Sequence, residues 1–120
     1  MKQSAVIFDI DGTIADTAHR LHHLKGKDKD WTAFYDAMDE DTPKLMAIDY
    51  LNSFALTDTR VLFVTGRPET HRQQTEMWLD KNTRCVIGKH NLFMRPEHNY
   101  KPDFTIKYDI YHRDIEPKYK

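Results

Sequence analysis

Val6–Asp16, VIFDIDGTIAD, is the stretch on which the reading of this chain turns. The run SAVIFDI is short and almost continuously apolar, the pattern of a β-strand covered on both faces. Asp9 and Asp11 stand at its end, two residues apart, and Gly12 follows them directly. A strand that buries its apolar residues yet points two carboxylates out of its end has placed them for chemistry or for a turn. Gly12 permits the sharp turn away. On its own, D-x-D-G also suits a plain turn or a calcium-type loop, so the rest of the chain has to discriminate.

Two further apolar runs, RVLFVTG and the weaker RCVIG, read as strands of the same kind, and LFMR as a short fourth. Helical segments separate them. KDWTAFYDAM is one. TPKLMAIDYLNSFAL is another, with Thr42 as its N-cap, Pro43 at its first helical position and Leu45, Ile48, Leu51, Asn52 and Ala55 along a mostly apolar face. RPETHRQQTEMWLDKN follows the second strand, with Met77, Trp78 and Leu79 near its end. The last helix, KPDFTIKYDIYHRDIEP, takes Asp103 as N-cap and carries Phe104, Ile106, Tyr108, Ile110, Tyr111 and Ile115 before Pro117 stops it. Strands alternating with helices predict an α/β fold, a parallel sheet with helices on both faces. The motifs then stand at the carboxyl ends of strands, where open α/β sheets bind ligands.

Composition narrows the function classes. One hundred and twenty residues make one domain, long enough to bury roughly two-thirds of its unfolded surface. A net charge of −1 argues against wholesale electrostatic wrapping of nucleic acid, though not against a local basic patch. Cys85 is the only cysteine, so there is neither a disulfide framework nor a cysteine zinc cage, and its apolar surroundings make it a core residue. No run approaches a membrane span and no signal-peptide core opens the chain, so the cytoplasm is the expected location. His19, His22 and His23 have helical spacing, but with no fourth ligand evident they read as a polar surface. Trp31, Phe34 and Tyr35 could stack nucleobases, although WTAFY at helical spacing reads first as core.

Asp9–Thr13, DIDGT, resembles the first motif of the haloacid dehalogenase superfamily of phosphotransferases at every defining position. Thr65 in VLFVTGRP resembles the second motif, a Thr or Ser ending an apolar strand, and Lys107 in KPDFTIK the third, a lysine near a helix start. Within the superfamily the chain is most similar to the 3'-phosphatase domain of phage polynucleotide kinase. That family has arginines eleven residues after its first aspartate and two after its second-motif residue, here Arg20 and Arg67. It has an aspartate four before its lysine, here Asp103.

The resemblance implies a Rossmann-like three-layer sandwich over 1–120, with a small helical cap insert at about 16–41. It implies a Mg²⁺-dependent phosphomonoesterase working through an aspartyl-phosphate, which splits a hard hydrolysis into two easier steps. Asp9 would be the nucleophile and Asp11 the acid/base. Mg²⁺ would be bound by the Asp9 carboxylate and the Asp11 main-chain carbonyl. Thr65 would hold a phosphate oxygen and Lys107 would offset transition-state charge. Gly66, Arg67, Arg20 and Asp103 would serve substrate binding, the arginines as planar forks of donors for phosphate. The substrate would be a phosphorylated nucleic-acid end or a nucleotide, with no membrane involved. The alternatives are a nucleotide phosphatase and a phosphate- or nucleic-acid-binding protein impaired in catalysis. No G-x-x-x-x-G-K-[ST] occurs, so the likeness extends to the phosphatase half only.

One part of the superfamily pattern has no match. Its fourth motif puts one or two aspartates at the end of a further strand beside the strand of Asp9, and the sequence ends at IEPKYK, where that strand should begin. Asp109, Asp114 and Glu116 follow no apolar run and are not substitutes. The expectation is a C-terminally incomplete domain, a strand supplied by another chain, or a degenerate site. Without that strand, the open, apolar edge beside Asp9 invites self-association.

Overall fold

The computed structural model describes residues 2–119. Its centre is β4 (Arg60–Pro68), flanked in parallel by β1 (Ala5–Phe8) and β5 (Leu92–Arg95), so the sheet order is β1-β4-β5. Val6 pairs with Val61 and Phe8 with Phe63, and Phe63 pairs in turn with Leu92. Because side chains alternate along a strand, β4 feeds two cores. Val61 and Phe63 join Phe8, Ile48, Leu51, Trp78 and Leu79, while Leu62 and Val64 join Ile106, Ile110 and Ile115. Thus α2 (Leu45–Ser53) and α3 (Arg72–Asn82) cover one face and α4 (Asp103–Ile110) covers the other. The apolar run of β4 is continuous because both its faces are covered, whereas β1 buries only Phe8 fully, and each fully buried Leu or Ile contributes roughly 1.5–3 kcal/mol.

Beyond Asp11 the chain folds back on itself. Gly12 sits at φ +82°, a left-handed conformation that favours glycine, and its N–H donates to Ala15 O at 2.9 Å. The N–H groups of Ile14 and Ala15 both donate to Ile10 O at 3.0 Å. Then β2 (Ala15–Asp16) pairs antiparallel with β3 (Thr42–Pro43), so the segment between them leaves and returns at one place. That segment holds a 3₁₀ helix at Ala18–Leu24, α1 (Trp31–Asp36), and a second 3₁₀ helix at Ala37–Glu40. Asp30 caps α1 by accepting from the Ala33 N–H at 3.0 Å.

Several local expectations need correction. Thr42 and Pro43 do not start a helix. They are spent on pairing with Asp16 and Ala15, and the next N–H, of Lys44, donates to Ile14 O at 2.8 Å. So α2 begins at Leu45, which is exposed with Ala55, and the buried face is Ile48 and Leu51. RCVIG is not a strand. The Asn91 side chain accepts from the Gly88 N–H and donates to Val86 O, folding the segment into a loop, and LFMR is the third strand instead. Cys85 is half-buried rather than central, and burial pushes its thiol pKa up. Asp103 is the first residue of α4 and not its cap, and the broad apolar face narrows to Ile106, Ile110 and Ile115, with Phe104 and Tyr108 exposed.

Among the described residues β1 is an edge strand, and Ile7 is 43% exposed. Gln3, just before it, makes a parallel bridge to Tyr119.

Candidate active site

Asp9 and Asp11 leave the end of β1, while Thr65 and Gly66 lie near the end of the adjacent β4. Lys107 reaches them from the second turn of α4, which the Ile106/Ile110 stripe presses against the sheet. The Lys107 ammonium lies 3.1 Å from Asp9 Oδ1 and 2.8 Å from Asp103 Oδ2, one turn back on the same helix. Burial pulls the Lys107 pKa down, but the bonds to Asp103 and Asp9 outweigh that and leave it above the usual lysine range. Asp9 Oδ1 also accepts from the Ile10 N–H at 2.9 Å.

Gly66 is demanded by close approach. A Cβ there would collide with the Asp103 carboxylate, so a side chain at Gly66 would push away the group that steadies Lys107. The buried Thr65 accepts at its Oγ1 from the Arg67 N–H at 3.1 Å. Asp9, Asp11, Thr65, Gly66, Asp103 and Lys107 all line one open cleft of about 650 Å³.

The resemblance puts Arg20 and Arg67 at the substrate. The structure puts both at full burial beneath Asp11, and neither lines the cleft. Arg67 Nη2 donates to Asp11 Oδ1 at 2.6 Å and to Asp41 Oδ2 at 3.2 Å, and its Nε donates to Asp11 Oδ1 at 3.1 Å. Its Nη1 meets Met38 Sδ and Thr75 Oγ1, each at 3.3 Å. Arg20 Nη2 bridges Asp11 Oδ1 at 2.9 Å and Asp41 Oδ2 at 2.8 Å, and its Nε reaches Asp41 Oδ1 at 2.8 Å. Its Nη1 donates to Phe34 O, and the guanidinium carbon stacks 4.2 Å from the Phe34 ring centroid. Five donors per guanidinium leave little to spare for a phosphate. The pair grips Asp11.

Sequence reasoning missed Asp41. Its carboxylate is wholly buried, and two aspartates against two arginines make the cluster charge-balanced. His19 Nε2 lies 2.7 Å from Asp41 Oδ1, and Trp78 Nε1 donates to Asp41 O at 2.9 Å. Nothing in DEDTP marks one of its four acidic or hydroxyl residues as buried. Arg95 was missed too. It donates to Gly66 O at 2.8 Å, Asn99 O at 3.1 Å and Lys101 O at 2.5 Å, tying the loop after β5 to the site. Trp31, read first as core, is 49% exposed and lines the cleft. Asp114 and Glu116 bond to Arg113 and His112 and do not line it.

Residues 3–120 match the family described as the polynucleotide kinase PNKP phosphatase domain. The chain belongs to that family. It is therefore a phosphatase domain of the haloacid dehalogenase type. It is 29% identical over 119 residues to a protein of Autographa californica nuclear polyhedrosis virus named as a bifunctional polynucleotide kinase/RNA ligase, matching 96% of this chain and 15% of that protein. In solved structures it resembles one from the Pnkp1/Rnl/Hen1 RNA repair complex, with TM-score 0.81 at 24% identity, over 98% of this chain and 34% of that one. The class C acid phosphatase of Bacillus anthracis with tungstate bound matches at TM-score 0.76 and 14% identity, over 100% and 49% of the two chains. The chain thus spans a minor part of its relatives, and the acid phosphatase likeness is one of fold. Among the described residues no helix is long and apolar enough to cross a membrane.

Proposed function

We propose that this phosphatase domain removes 3'-phosphates from nucleic-acid ends through a phosphorylated Asp9. The observation that carries the reading is the Lys107 ammonium held between Asp9 and Asp103, beside Thr65, in an open cleft. A carboxylate, a fixed cation and a hydroxyl from three segments can receive one phosphoryl group. The nucleic-acid substrate is supported by the family match and by the repair and ligase relatives.

In this mechanism an Asp9 carboxylate oxygen attacks phosphorus and the bond to the 3'-oxygen breaks. Asp11, oriented by Arg20 and Arg67, relays the proton of a phosphomonoester monoanion to the departing oxygen. It then takes a proton from the water that hydrolyses the acyl phosphate and passes it to the released phosphate, which restores both carboxylates. Lys107 and the Thr65 hydroxyl hold the phosphoryl oxygens and balance their charge. The segment 16–41 serves as the cap over the cleft.

Mg²⁺ fits the atoms that remain. Asp9 Oδ2 and the Asp11 main-chain oxygen accept no hydrogen bond among the described residues. Both are hard oxygens of the kind Mg²⁺ takes in small numbers alongside water and substrate phosphate. When bound it would offset the negative charge shared by carboxylate and phosphate.

Rapid-quench labelling with an oligonucleotide carrying a radioactive 3'-phosphate should mark Asp9, and Asp9→Asn should abolish turnover, because an amide cannot form the acyl phosphate. Label on a histidine, or wild-type-like turnover by Asp9→Asn, refutes the mechanism. Comparing that oligonucleotide with a nucleoside 3'-monophosphate separates a polynucleotide phosphatase from a nucleotide phosphatase.

A further inference from the structure

The phosphoryl-transfer groups occupy only one part of the cleft. The rest is walled by aromatic and basic side chains, Trp31 and Tyr35 from α1 and Tyr100 and Lys101 from the loop after β5. We propose that this wall is a nucleobase subsite, with Trp31 as the platform on which the 3'-terminal base stacks. The inference rests on the phosphatase reading for its location and deepens its substrate class: an unpaired nucleotide end with its last base intact.

Three observations support it. First, Trp31 is fixed but not covered. Its indole packs edge-on against the buried Phe34, centroids 5.8 Å apart at 84°, and lies nearly parallel to Tyr35, 5.9 Å apart at 28°. Phe34 is itself held by the Arg20 guanidinium stacked on its ring. A tryptophan buttressed on two sides and 49% exposed forfeits hydrophobic burial unless something covers it. Second, the exposed part opens into the same cleft as Asp9 and Lys107, so a flat apolar group linked to a phosphate at Asp9 is what this cleft can accept. Third, the Tyr100–Lys101 wall is built rather than loose. Arg95 fastens the main chain of Asn99 and Lys101, and the Asn99 side chain accepts from the Lys101 N–H at 3.1 Å. Tyr100 is nonetheless 87% exposed, a second ring offered to the cleft. The Lys101 ammonium, which makes no hydrogen bond among the described residues, suits the phosphodiester that precedes a terminal nucleotide. Aromatic faces interleaved with cationic tips are the usual means of holding a single strand without reading its sequence.

The test compares wild type, Trp31→Ala and Trp31→Phe on three substrates. These are a 3'-phosphorylated oligonucleotide, the same oligonucleotide ending in a 3'-phosphorylated abasic residue, and p-nitrophenyl phosphate. Loss of one base stack should lower kcat/KM of Trp31→Ala about 5- to 100-fold on the intact end. The abasic end and p-nitrophenyl phosphate should change less than about twofold by the same reasoning, and Trp31→Phe should recover most of the loss. Equal losses on intact and abasic ends, or none, overturn the subsite. A second readout is independent of turnover. The intact oligonucleotide should quench the Trp31 fluorescence of the wild type, the abasic one should not, and Trp31→Phe should remove the quench. Quenching without turnover of either oligonucleotide would leave the subsite standing and the phosphatase reading fallen. Turnover of the intact end with no base-dependent quench would do the reverse.

Discussion

Replacing Asp41 by Asn tests the buried cluster most severely. Asp41 accepts at Oδ1 from Arg20 Nε and at Oδ2 from both Arg20 Nη2 and Arg67 Nη2, and His19 Nε2 sits against Oδ1. Asparagine has the same shape but one acceptor oxygen, so either orientation of the amide turns an –NH₂ toward a guanidinium donor. The variant also leaves two fully buried guanidinium groups with one carboxylate between them, where the native protein has two. Breaking a buried ion pair by removing one partner costs about 3–5 kcal/mol, because the remaining charge stays uncompensated. Set against a total stability of about 5–15 kcal/mol, that is a large fraction. For a chain of this length it corresponds to a fall in Tm of roughly 10–25 °C.

Urea unfolding of the wild type and Asp41→Asn measures this directly, with an unchanged m-value showing that the same structure unfolds. Arg20→Met and the double variant complete a cycle. With Arg20 already neutral, removing the Asp41 charge should cost much less than it does alone, giving a coupling of about 1–3 kcal/mol. Where Asp41→Asn remains folded at low temperature, its kcat should fall more than its KM rises, since Asp11 loses the orientation the arginines provide. A destabilisation below about 1 kcal/mol, or strict additivity in the cycle, would refute the view that the cluster is a single charge-balanced unit.

Gly66→Ala should leave stability within about 1 kcal/mol but lower kcat/KM by about tenfold or more, because displacing the Asp103 carboxylate frees Lys107; unchanged kinetics would show that Asp103 does not steady the lysine. The Glu69 carboxyl is held below its ordinary pKa chiefly by its hydrogen bonds to Arg72, which also ties α3 to Leu92 O. A lowered folded-state pKa contributes stability above the unfolded value, about 4.3, and loses it as pH falls through the folded value. The Tm gap between wild type and Glu69→Gln should therefore be constant near neutrality and close on acidification, and a gap that widens with acid would contradict it. Self-association through the edge of β1, where Ile7 is exposed, should appear in sedimentation velocity at rising concentration and be relieved by Ile7→Lys; identical behaviour of the two proteins would exclude that edge.

The central strands were legible because their signal is local. RVLFVTG is apolar without alternation because β4 is covered on both faces, and VIFD carries the same pattern although Ile7 of the edge strand β1 stays exposed. RCVIG has the same local look and is a loop, because Asn91 folds back on Gly88 and Val86 while the pairing with Phe63 goes to Leu92. The two runs compete for one place beside β4, and a side-chain bond decides between them. Thr42-Pro43 fails for a similar reason. As local chemistry it is a good helix start, but its backbone is already committed to Asp16 and Ala15, which lie a whole insert earlier in the chain.

The site divides along the same line. Asp9, Asp11, Thr65 and Lys107 stand at strand ends or on a helix whose direction is set by its core stripe, so the order of motifs is enough to gather them. Arg20 and Arg67 were found by their match to the phosphatase family's pattern, but a motif match does not say which way a guanidinium faces. The burial of Arg20 follows from its acidic partner, and that partner arrives from the far end of the insert. A lone Asp41 is as ordinary in sequence as Asp39 beside it. What distinguishes it is that β2 and β3 pair, bringing the end of the insert back to its beginning and setting Asp41 against Arg20. The ribbon that closes the segment thus also completes the charge balance under Asp11, so a change in the anchoring of residues 16–41 should be felt first at Asp11.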